Sequence, residues 1–110
     1  MQSIQSEDAE QSSKRANYLG EFLLGEKSGF GKFQSDNYVY IGGWLNDKMH
    51  GFGYFESRNG DTYIGSWLEG KRSGYGKEKT ENYQYKGEWC DDLPNGIGFH
   101  IDKLKSVRPA

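Results

Sequence analysis

The sequence predicts an all-β fold, a meander of about eight short antiparallel strands made of consecutive hairpins. Two observations carry this. The chain repeats itself: YLGEFLLGEKSGFGKF from Tyr18, YIGGWLNDKMHGFGYF from Tyr40, YIGSWLEGKRSGYGKE from Tyr63 and YKGEWCDDLPNGIGFH from Tyr85 start 22, 23 and 22 residues apart. Within each copy the residues alternate with the period of a strand, as in Tyr40, Gly42, Trp44 against Ile41, Gly43, Leu45.

Taken in order, residues 1–17 (MQSIQSEDAEQSSKRAN) are polar, lack aromatic residues, and are expected to form a disordered or weakly helical arm. One repeat domain follows at 18–101, with units from 18, 40, 63 and 85, and DKLKSVRPA (102–110) is a short basic tail. Counting each opening tyrosine as position zero, position two is Gly20, Gly42, Gly65 and Gly87, and position four is Phe22, Trp44, Trp67 and Trp89. Glycine returns at position eleven (Gly29, Gly51, Gly74, Gly96) and position thirteen (Gly31, Gly53, Gly76, Gly98), around Phe30, Phe52, Tyr75 and Ile97. Position five is Leu23, Leu45, Leu68 and Cys90, so Cys90 stands where leucine stands elsewhere and is expected to be a small buried hydrophobe.

Turn formers separate the two strands of a unit: Asn46-Asp47, Glu69-Gly70 and Asp91-Asp92. Between units, Asn37, Gly60 and Asn82 stand three residues before the next tyrosine, and these residue types tolerate a left-handed backbone best. Glycine in a strand needs a reason. If the register sets rings of one strand beside glycines of the next, a large ring covers a residue without a side chain, and the glycines at positions two, eleven and thirteen become packing requirements.

Composition limits the function classes. With 14 basic and 16 acidic residues the net charge is −2, which argues against a nucleic-acid module, and 15% aromatic content argues against disorder of the whole chain. No apolar run is long enough to span a bilayer, and no charged and apolar leader opens the chain. A single cysteine permits no disulfide within the chain and points to an intracellular setting. Cys90, His50 and His100 lack metal-ligand spacing, Asp91 and Asp92 as strand neighbours point apart, and GFGKF lacks the remainder of a phosphate loop. No enzyme, no metal and no cofactor is expected.

At YIGGWLNDKMHGFG and YIGSWLEGKRSGYG the chain resembles the MORN repeat, roughly Tyr-x-Gly-x-Trp-x-x-Gly-Lys-x-x-Gly-x-Gly. The resemblance covers about three quarters of the chain and implies a single-layer, elongated, twisted antiparallel sheet of about four hairpins with a groove. The outer units depart from the pattern, with Phe22 and Glu26 in the first and Leu93 in the last, as expected of the ends of a repeat array. The family implies scaffolding: protein binding, self-association, and in some members attachment to membrane lipids or the cytoskeleton; the expected location is the cytoplasm, at the cytoskeleton or a membrane surface.

Two functional expectations follow. The first is a protein-binding groove formed by Tyr40, Trp44, His50, Tyr63, Trp67, Tyr85 and Trp89, receiving an extended peptide or a helix, in a chain that also forms homodimers through an open sheet end or face. The alternative is a membrane-targeting module, or the regulatory part of a larger lipid-kinase-like or signalling protein, in which Lys48, Lys71, Arg72, Lys77, Lys79 and Lys86 contact anionic phospholipids. Glu69, Glu78, Glu81 and Glu88 interleave with those bases and weaken the second expectation.

Overall fold

The computed structural model of the protein describes residues 16–102. Most of the expected arm and tail, 1–15 and 103–110, lies outside the described residues. Eight strands run β1 (Ala16–Leu23), β2 (Glu26–Ser35), β3 (Tyr38–Leu45), β4 (Lys48–Ser57), β5 (Thr62–Leu68), β6 (Lys71–Lys79), β7 (Tyr83–Cys90) and β8 (Leu93–Asp102). They form one antiparallel sheet in chain order with no crossover, open at β1 and β8. The sheet is long and thin, 56 × 27 × 17 Å, with a radius of gyration of 16.0 Å. A compact chain of this size would have about 12 Å.

Two-residue turns close the hairpins. Asn46-Asp47, Glu69-Gly70 and Asp91-Asp92 all have positive φ, as the twist of a tight hairpin requires, and Leu24-Gly25 does the same with a leucine at φ 52°. The connections between hairpins are built differently. Of the three residues expected to be left-handed there, only Gly60 is; Asn37 and Asn82 are absent from the positive-φ set. At those two connections a hydroxyl organises the turn instead: Ser35 Oγ accepts from the Asn37 and Tyr38 amides, and Thr80 Oγ1 accepts from the Asn82 and Tyr83 amides.

The register explains the glycines. Gly20, Gly31, Gly42, Gly53, Gly65, Gly76, Gly87 and Gly98 pair in succession, so one line of glycine crosses all eight strands. Tyrosine rings lie in this trough, Tyr18 on Gly31, Tyr40 on Gly53, Tyr63 on Gly76 and Tyr85 on Gly98, where an added β-carbon would collide with ring atoms. Position eleven works otherwise. Gly51 has φ 88° and open space around its missing side chain, so it serves backbone conformation and makes no room for a ring. It sits in the bulge where the β3–β4 register shifts between Gly42 and Trp44.

Because the sheet is a single layer, burial falls on one face. The buried hydrophobic residues are Tyr18, Tyr40, Trp44, Tyr63, Trp67, Tyr85 and Trp89, with Phe33, Tyr38, Met49, Phe55 and Tyr83 packed against them. Position five points to the other face. Leu45, Leu68 and Cys90 are exposed, which corrects the expectation of a buried Cys90: alternation carries residues beside the tryptophans away from the buried ring cluster.

Candidate binding faces

On the ring-bearing face the aromatic residues form a continuous zigzag. Tyr40 meets Trp44 and Trp67 edge to face at 5.1 and 5.4 Å, Tyr63 meets Trp67 and Trp89 at 5.2 and 5.3 Å, and Tyr85 closes on Trp89 at 5.3 Å. Tyr18 joins the other end through Trp44 at 5.4 Å. Edge-to-face contacts of this kind add about 0.5–1.5 kcal/mol each beyond area burial. The polar tips are satisfied locally. Tyr40, Tyr63 and Tyr85 hydroxyls donate to the carbonyls of Gly43, Ser66 and Glu88, and the indole N–H groups of Trp44, Trp67 and Trp89 donate to those of Gly31, Gly53 and Gly76.

The rings expected to line the groove are therefore brought together, and their area is spent on one another. Tyr40 is 0% and Tyr63 2% exposed. Burial raises both phenols, Tyr63 to about 12, with the Arg72 guanidinium opposing the rise and Asp92 and Glu78 adding to it. His50 stands apart at the turn margin, half-buried, with its Nδ1 accepting from the Glu69 amide at 3.4 Å.

Position nine of a unit covers the ring cluster: Lys27 lies over Trp44 at 5.5 Å, Met49 packs on the cluster, and Arg72 lies over Trp89 at 4.4 Å. A repeated clasp holds these in place. The amides of Asp47, Gly70 and Asp92 donate to the carbonyls of Lys27, Met49 and Arg72, and the Asp47 and Asp92 carboxylates accept from the Lys27 and Arg72 amides. Arg72 is further tied to Asp92 Oδ1 at 3.1 Å, the Asp92 carbonyl at 2.9 Å and Glu78 at 3.2 Å. Each of its three side-chain nitrogens thus donates within the fold.

Two shallow clefts, one unit apart, remain accessible on this face. One, about 260 Å³, is lined by Phe55, Tyr63, Trp67, Asp61, Arg72, Glu78 and Asp92; the other, about 380 Å³, by Phe33, Tyr38, Trp44, Lys27, Asp47 and Met49. Phe33, Tyr38 and Phe55 were not among the expected groove residues. Their rings pack in series, Phe33 to Tyr38 at 5.4 Å and Tyr38 stacked on Phe55 at 5.0 Å. The signal was available: Tyr38 and Tyr83 lie two residues before an opening tyrosine and so share its face.

The opposite face carries the lysines. Lys48 and Lys71 pair with Leu45 and Leu68, Lys77 pairs with both Ile64 and Lys86, and Lys79 lies two residues along from Lys77 on the same side. Arg72, expected with them, lies on the ring side. Beside the lysines stands an exposed apolar row, Phe30, Phe52, Tyr75 and Ile97, which strand alternation turns away from the core.

Among the described residues no group of His, Cys, Asp and Glu could hold a metal ion, and no helix is long and apolar enough to cross a membrane. The family model of the MORN repeat matches residues 18–38, 40–62, 63–83 and 85–101. Among curated proteins none matches the chain.

Proposed function

The chain belongs to the MORN repeat family, and from that premise we propose that it is a cytoplasmic, self-associating protein-binding scaffold that takes a partner segment on its ring-bearing face. Repeats of this family are generally non-catalytic and often serve binding. The observation that carries the reading is the recurrence of the clefts over Trp44 and Trp67. One unit is two strands, an advance of about 10 Å. Seven residues of an α-helix advance about 10.5 Å. A partner helix laid along the sheet axis would thus offer side chains i and i+7 to successive clefts. The acidic rim of the 260 Å³ cleft, Asp61, Glu78 and Asp92 around one arginine, favours a basic residue at one of those positions.

The test is affinity capture from the native cell with wild-type protein and the variants Phe55→Ser and Glu78→Gln. Both side chains border the cleft without belonging to the buried ring zigzag. Loss of the captured partner with either variant, at unchanged folding, supports the reading. A partner captured equally by all three proteins refutes the ring face as its site.

One observation favours membrane attachment as a second reading. Lys77 and Lys86 are directly paired across β6 and β7, a like-charge arrangement that costs stability unless an anion answers it, and exposed apolar side chains lie beside them. Cosedimentation with phosphoinositide vesicles tests it. Binding that fades with salt and is lost in Lys77→Glu/Lys86→Glu supports attachment; binding unchanged in that double variant rejects this face.

A further inference from the structure

The face away from the rings has a relief that follows strand parity. Large side chains at position twelve stand on even strands: Phe30 on β2, Phe52 on β4, Tyr75 on β6 and Ile97 on β8. They are 61, 65, 63 and 79% exposed. Their row neighbours on odd strands are small or recede: Gly43 beside Phe30, Ser66 beside Phe52, and Glu88 beside Tyr75. Glu21 and Glu88 recede because their carboxylates fold toward bulge glycines, the Glu21 Oε1 accepting from the Phe30 amide at 2.9 Å. The deepest gap is at Gly43, between Phe30 and Phe52, where neither Gly43 nor Gly51 has a side chain.

Ridges on even strands and gaps on odd strands make the face complementary to itself. A twofold axis parallel to the strands, placed between any two adjacent strands, brings an odd strand of one copy over an even strand of the other. With the axis between β4 and β5, the two central ridges meet residues with little or no side chain, and the outer ridges, Phe30 and Ile97, meet Glu88 and Glu21, whose carboxylates lean toward the bulge glycines. Placed between β4 and β5, the axis gives the greatest overlap and sets Phe52 of each copy on Ser66 of the other, and Tyr75 on Gly43. Helix-free sheets pack face to face in this manner at about 10 Å separation.

The area suffices. At about 200 Å² per ring, Phe30, Phe52 and Tyr75 alone leave roughly 400 Å² of aromatic surface in water, already within the range of the largest patch on a typical soluble monomer, about 300–600 Å². Leu19, Ile64 and Phe99 add apolar surface on one side of the row, with Lys32, Lys77 and Lys86 standing among them, and Leu45 and Leu68 add it on the other, paired with Lys48 and Lys71. The face spans about 34 Å across eight strands and about 20 Å along them, roughly 700 Å². A stable interface uses about 800 Å² per partner.

We propose that the protein associates with a second copy of itself through this exposed face, by twofold, sheet-on-sheet packing in which position-twelve side chains enter the gaps at Gly43 and Ser66. This rests on the self-association in the function proposed above and names its surface, leaving the clefted face of each copy outward for other partners.

Sedimentation equilibrium of the full chain over a wide concentration range tests it. Wild type is expected to dimerise, and Phe52→Glu and Tyr75→Glu are each expected to raise the dimer Kd about tenfold or more with the circular dichroism of the sheet unchanged. Because Phe52 meets Ser66 across the axis, mixing Phe52→Glu with Ser66→Lys should restore a heterodimer that neither variant forms alone. A wild type monomeric at every concentration overturns the proposal together with self-association. A dimer indifferent to both substitutions overturns this surface while leaving self-association standing. Failure of the mixture to associate overturns the strand pairing and with it the proposal. A monomer whose face binds anionic vesicles, losing them in Phe52→Glu, overturns it in favour of a lipid surface.

Discussion

The phenol of Tyr40 lies in the space that a side chain on Gly53 would need, with its hydroxyl and Cζ against that strand neighbour. Gly51, two residues away, has nothing near its missing side chain but holds φ at 88°. Alanine should separate the two roles. Gly53→Ala overpacks the trough and is expected to cost about 3 kcal/mol. Gly51→Ala incurs only the left-handed backbone, about 1–2 kcal/mol. Urea unfolding of the two variants checks the order.

Arg72 and Met49 occupy equivalent places in successive units. Packing over the ring cluster is common to both, while the ion pairs to Asp92 and Glu78 are particular to Arg72. Partly exposed pairs of this kind contribute about 0–1 kcal/mol. Arg72→Met should therefore lose no more than about 1 kcal/mol, and Arg72→Ala roughly 2 kcal/mol because the cover over Trp89 is removed as well. Thermal melts at low and high salt would show whether charge or cover dominates.

Alkali should unfold the protein through its tyrosines. The folded state holds the Tyr63 proton to about pH 12, and Tyr40 is raised too, chiefly by burial. Unfolded phenols release theirs near pH 10. Above that point the unfolded state binds fewer protons than the folded one, so stability is full below pH 10 and declines as pH rises toward 12. A urea midpoint that stays flat over this window would contradict the assignment.

Cys90 should react in the folded protein. Its side chain is exposed on the face away from the rings. A maleimide is expected to modify it completely without denaturant and with the sheet spectrum preserved. Protection until unfolding would contradict the exposure.

The repeat made most of this fold legible. Four aligned copies placed the tyrosines, tryptophans and paired glycines on one face, and the register then set each tyrosine ring on a glycine. Gly51 misled because one residue type answers two needs, absence of a side chain and freedom of φ, and the letter does not say which. Cys90 misled because replacement of leucine suggested a core, whereas Leu45 and Leu68 are themselves exposed. Asn37 and Asn82 misled because neighbouring hydroxyls from Ser35 and Thr80 offered a competing turn. The clefts were hidden for another reason: the alignment drew attention to residues common to all four units, while position fifteen is Phe33, Phe55, Glu78 and His100 and position nine begins Lys27, Met49 and Arg72, so each cleft has its own character.

Strand order without crossover has a mechanical meaning. Among the described residues each hairpin pairs its strands only with the hairpins before and after it, so no strand pairing from far along the sheet holds an end in place. Nearly all of β8 is exposed to solvent, whereas Tyr40 and Tyr63 are flanked by tryptophans on both sides. Loss of structure should start as fraying at the ends and travel inward, giving amide exchange protection that rises from β1 and β8 to a maximum over β3–β6. Position along the sheet is thus also a scale of local stability, and a partner that bridges several units would tighten the whole scale at once.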